Sequence, residues 1–80
     1  VAGLGGVPLM RGWQFITPAG HRSKAYPSRS EAVIEAVRFM VVQLFARLGV
    51  IAEPERLSPQ QAEETFRELE PEGWKIEGVR

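Results

Sequence analysis

From Gly12 the chain alternates, with Trp13, Phe15 and Thr17 on one side and Gln14 and Ile16 on the other, a period of two built from strand-forming residues. This predicts a first strand. Thr17-Pro18-Ala19-Gly20 follows, with Pro where a tight turn fixes φ and Gly where the chain must turn left-handed, as in a three-residue hairpin loop with a bulge. His21 to Tyr26 is then expected to return as a second strand, presenting His21, Ser23 and Ala25 on one face and Arg22, Lys24 and Tyr26 on the other. Pro27 closes it.

Ser28-Arg29-Ser30-Glu31 has the spacing of a capping box, and after it Val33, Val37, Met40, Val41, Leu44 and Leu48 recur on one helical face until Gly49. A long helix is predicted here. Its opposite face begins polar at Glu31, Glu35 and Arg38 but continues through Val42 and Phe45, with Phe39 beside them, so the second half is apolar nearly all round. Something must cover it. Ile51 to Arg56 reads as a connection around Pro54, and Ser58-Pro59-Gln60-Gln61 is a second capping box with Pro at the first helical position. The short helix that follows carries a stripe of Ala62, Phe66 and Leu69 until Pro71, with Glu63 and Arg67 spaced for a surface ion pair. Trp74 to Glu77 alternates as a last strand. The expected fold is therefore α+β, ordered strand-strand-helix-helix-strand. A three-stranded antiparallel-type sheet packs on one long helix, and the short acidic helix covers the long helix's far end. Residues 1–10, with Gly3, Gly5, Gly6 and Pro8, are expected to form a flexible arm, and residues 11–80 a single domain.

Composition narrows the chemistry. Eighty residues bound one small domain, in which a large internal active-site cavity is not expected. With no Cys there is no disulfide, thiolate metal site or thiol nucleophile, which fits a cytoplasmic or other reducing compartment. The longest apolar run, Phe39 to Val42, is far short of a bilayer span, and the opening VAGLGG lacks the features of a signal peptide, so neither a membrane span nor a leader is expected. GLGG also fails as a nucleotide-binding loop, because no strand precedes it and Pro8 falls where a third glycine belongs. The only His, His21, has no carboxylate placed to orient it, there is no Asp, and no spacing suits metal ligands. Catalytic residues, cofactors, metals and a small-molecule substrate are accordingly not expected.

Net charge is zero, yet the distribution is polarised. Arg11, Arg22, Lys24 and Arg29 stand in the first 30 residues without an acid, whereas residues 53–80 hold eight Glu. TPAGHRSKAYP, running into a capped helix, resembles the basic hairpin of methyl-CpG-binding domains. That resemblance implies His21, Arg22, Lys24 and Arg29 as phosphate or base contacts. A nucleic-acid domain usually shows a clear basic excess, however, and here the two halves of the chain can neutralise each other.

A second resemblance spans more of the chain. PLMRGW at residues 8–13, YPSRSEAVIEA at 26–36 and GWKIEGV at 73–79 are similar, in that order, to the AQDQ accessory subunit family of respiratory complex I. Arg11 interrupts that family's P-L-M-G-W pattern, and residues 37–72 stand as an insertion relative to it. The resemblance implies a non-catalytic clamp in a larger assembly, without a cofactor of its own.

The leading expectation is a non-catalytic protein-interaction module, an accessory subunit or adaptor, with a protein partner or a second copy bound through Phe39, Val42, Phe45, Trp13 and Trp74. The alternative is a small nucleic-acid-binding regulator using the hairpin of residues 17–29. An enzyme ranks third.

Overall fold

The computed structural model describes residues 11–51 and 54–80, so the arm expected over residues 1–10 lies outside the described residues. The fold is α+β. Its elements are β1 (Gly12–Ile16), α1 (Arg29–Arg47), α2 (Pro59–Leu69) and β2 (Lys75–Val79), with a 3-10 turn at Glu70–Glu72 before β2. The strands pair antiparallel, from Gly12 opposite Val79 to Ile16 opposite Lys75.

The expected three-stranded sheet is corrected to two strands. His21 to Tyr26 does return beside β1, and Gly20 takes the left-handed φ of 92° that the turn requires, with Thr17 donating to the His21 carbonyl at 2.9 Å. Only isolated bridges form, however, at Ile16 with Arg22 and at Trp13 with Tyr26. Between these bridges β1 advances from 13 to 16 while the return segment advances from 22 to 26, so the return segment holds one residue more. Such an extra residue interrupts a ladder and swings the following side chains to the other face. Ser23 occupies the break: its N–H donates to the Phe15 carbonyl at 3.0 Å, while its Oγ accepts from the Phe15 N–H at 2.9 Å in place of a backbone carbonyl. Trp13 and Ile16 lie on opposite faces of β1, so their bridge partners do too. The expected row of Arg22, Lys24 and Tyr26 on one face is thereby split.

Both helices start where the caps predicted. Ser28 Oγ accepts from the Glu31 N–H at 3.1 Å, but the Glu31 carboxylate accepts from Arg56 at 2.6 Å, so half the capping box is used for a long-range ion pair. Ser58 and Gln61 complete theirs reciprocally. Glu63, spaced for Arg67, accepts instead from Arg29 at 2.8 Å and ties α2 to the first turn of α1.

That tie locates α2. Contrary to expectation it does not cover the far end of α1, and the sheet does not rest on one helix alone; α2 packs along the first half of α1 and shares its core. Ala32, Ala36 and Ala62 are fully buried, and with so little side chain between them the two helix backbones can approach closely. Ala36 and Ala62 form one core cluster with Phe15, Val33, Ile34, Val37, Phe66, Leu69 and Trp74, and Tyr26, Phe39, Met40, Leu57 and Ile76 pack around it. All the buried residues of α1 lie between Ala32 and Val37.

Candidate interaction surface

Beyond Val41 the helix runs off the body that supports it. Leu44 and Leu48, expected on the core face with Val33 and Val37, are 50% and 73% exposed. Val42 is also exposed, Phe45 half-buried, and Val50 and Ile51 follow as exposed residues. Gly49, at φ 77°, ends the helix: the Val50 N–H donates to the Phe45 carbonyl at 2.9 Å and the Gly49 N–H to the Ala46 carbonyl at 3.1 Å. These two bonds define a Schellman motif, which turns the chain back over the last turn and sets Val50 on the side of Phe45. The result is an apolar knob of Val42, Leu44, Phe45, Leu48, Val50 and Ile51 at one end of the molecule, bordered by Gln43 and Arg47. Isolated exposed leucines are ordinary; a contiguous group is characteristic of a contact surface.

The remaining interface candidates sit elsewhere. Trp74 is 9% exposed, inside the core, and its ring lies 6.3 Å from that of Phe15 and 6.4 Å from that of Phe39. Phe39 is half-buried, 5.4 Å from Phe15 and stacked at 5.5 Å under His21. Trp13 is half-buried on β1, exchanging backbone hydrogen bonds with Tyr26 at 2.6 and 2.8 Å. These three residues therefore serve the sheet and its packing on α1, whereas Val42 and Phe45 belong to the knob. Leu44, Leu48, Val50 and Ile51 were missed by pattern reading, because a periodic apolar face does not reveal where its cover stops.

Of the four basic candidates, two are paired with carboxylates and two lie against aromatic rings. Arg22 reaches Glu77 at 3.3 Å and Arg29 reaches Glu63, while Lys24 Nζ sits 5.4 Å from the centre of the Tyr26 ring. His21 lies over Phe39. The acids of the second half thus meet the bases of the first at two exposed pairs, each worth up to about 1 kcal/mol. Arg56 bonds Glu31 and approaches Glu35 at 3.9 Å, and this hydrogen bond raises its pKa further. Partial burial, reinforced by the negative charge of Glu35 and opposed by Arg38, raises the pKa of Tyr26 above its ordinary 10.0.

Concavities are modest. A cleft of about 70 Å³ lies between α1 and the segment Pro54 to Leu57, lined mainly by Ile34, Val37, Val41 and Leu57. A wider, polar depression of about 450 Å³ lies over exposed side chains including Ser30, Gln60, Glu64 and Arg67. Among the described residues no group of three or more potential ligands is placed to hold a metal ion, and no helix is long and apolar enough to cross a membrane. The chain has no significant match to a family model, a curated protein or a solved structure.

Proposed function

We propose that this chain is a non-catalytic protein-interaction module, an accessory subunit or adaptor of a larger assembly, which engages its protein partner through the apolar knob at the end of α1. The observation that carries this reading is the exposure of Leu44, Leu48, Val50 and Ile51 on a helix whose first half is well buried. A helix end needs no such side chains for its own stability, and leaving them in water gains nothing in the isolated chain. Buried aromatic side chains near the centre of an interface typically carry most of its energy, which gives the anchoring role to Phe45, with Leu44 and Leu48 around it to exclude water. The pairing of Arg22 and Arg29 with carboxylates leaves the nucleic-acid reading with less free positive charge than the sequence promised.

The test is affinity capture from the native host with mass measurement of what co-purifies, run in parallel on the wild type, Phe45→Arg and the double variant Leu44→Glu/Leu48→Glu. A partner held by the wild type and lost from the double variant, with circular dichroism unchanged, supports the assignment. A partner retained by both variants would sink it, as would a duplex nucleic acid bound with a steep salt dependence and lost on Arg22→Glu.

A further inference from the structure

The two sides of the small sheet end differently. Beside β1 the return segment is bulged at Ser23, a device that discourages further pairing. On the other side β2 is regular over all five of its residues, and among the described residues no strand pairs with its outer edge.

Alternation fixes which backbone groups that edge presents. Trp13 and Phe15 turn their N–H and C=O groups toward the return segment, so those of Gly12, Gln14 and Ile16 face β2 and exchange with Val79, Glu77 and Lys75. The N–H and C=O of Ile76 and Gly78 consequently point away from β1. Lys75 and Glu77 stand on one face and are exposed, while Ile76 on the opposite face packs against the core. The Trp74 N–H, just before the strand, is already directed to the Leu69 carbonyl at 3.5 Å.

We propose that the outer edge of β2 pairs antiparallel with β2 of a second copy of this chain, with Ile76 on the two-fold axis. In this register Ile76 exchanges both hydrogen bonds with its symmetry mate, and the outward N–H of Gly78 is set opposite the mate's Trp74. Lys75 then faces Glu77 of the other copy, twice by symmetry, in the non-hydrogen-bonded positions where side chains are closest. Shifting the axis by one residue, to Glu77, also satisfies the outward backbone groups but sets Glu77 against its own mate and Lys75 against Val79. Charge therefore selects the register centred on Ile76. Arg22, already 3.3 Å from Glu77 on that face, extends each Lys75 and Glu77 pair into a three-member cluster. A symmetric contact of this type is isologous and closes at two copies, so it consumes the open edge without propagating. This contact is separate from the knob on α1 and does not depend on it.

Sedimentation equilibrium over a concentration series measures the association. The wild type is expected to be a dimer in reversible equilibrium. Lys75→Glu and Glu77→Lys, which each set like charges opposite one another, weaken it by roughly tenfold or more. The double variant Lys75→Glu/Glu77→Lys restores association, and mixing the two single variants gives a heterodimer, because each then meets the opposite charge. Gly78→Pro removes an outward donor without touching the β1 ladder, and it also weakens the dimer. A wild type that stays monomeric at all concentrations would overturn the proposal, as would a dimer indifferent to these substitutions. Retention of the dimer in Leu44→Glu/Leu48→Glu is expected; its loss there would place the contact on the knob instead.

Discussion

At Gly12 a side chain has nowhere to go. Its φ of 153° is one that side-chain-bearing residues rarely adopt, and an added Cβ would stand 2.5 Å from the carbonyl oxygen of Tyr26, a backbone atom fixed by its bond to the Trp13 N–H. Gly49 is also left-handed but faces open space. Gly12→Ala should thus cost about 2–3 kcal/mol and Gly49→Ala about 1 kcal/mol, measured as shifts in the denaturation midpoint. Equal costs would mean that the return segment yields to the intruding methyl. Tyr26 gives a second prediction. Its folded-state pKa lies above its unfolded value near 10.0, so the unfolded chain loses the phenolic proton first. The stability this contributes is fully present below pH 10 and is lost as pH rises through the folded pKa. Tyr26→Phe should abolish this part of the alkaline fall in stability, as followed by denaturation at a series of pH values; an unchanged fall would assign it to other groups. Neither effect was legible in the sequence. Gly12 read as the entry to a strand and Tyr26 as one of an alternating row, because close approach across a bulge depends on register, which local pattern does not set.

Among elements, α2 is where the sequence was right about existence and wrong about place. Ser58, Pro59 and Gln61 announce its start unambiguously, and Ala62, Phe66 and Leu69 its buried stripe, since caps and periodicity are local properties. Which half of α1 it would meet is not local. Small Ala32 and Ala36 mark the docking site in retrospect, and the Arg29 to Glu63 bond confirms it, but the larger apolar residues at the far end were the more conspicuous signal. Phe66, at 1% exposure, is the test of that placement. Phe66→Ala should cost about 3–5 kcal/mol by urea denaturation, enough to bring a chain of this size close to unfolding, whereas Leu48→Ala should stay within about 0.5 kcal/mol. Comparable losses at the two positions would show that the end of α1 is covered within one chain. The second strand failed for a similar reason: one surplus residue between Arg22 and Tyr26 is invisible to a period of two read over six positions.

For the molecule as a whole, charge that looked segregated along the chain is partly reconciled in space, with Arg22, Arg29 and Arg56 each meeting a Glu distant in sequence. What stays unbalanced is hydrophobicity, concentrated on the last turns of α1 while the core gathers round the first. The pairing of β1 with β2 carries a different consequence. Gly12 lies opposite Val79 and Ile16 opposite Lys75, so every rung of the ladder joins residues about sixty or more positions apart. Closing so long a loop early costs chain entropy that no neighbouring contact repays. The capped helices need no such closure. The pair α1 and α2 is therefore expected to assemble first and the strands to join late, so that substitutions at Ala62 or Phe66 should slow folding more than substitutions at Ile76, as read from refolding rates.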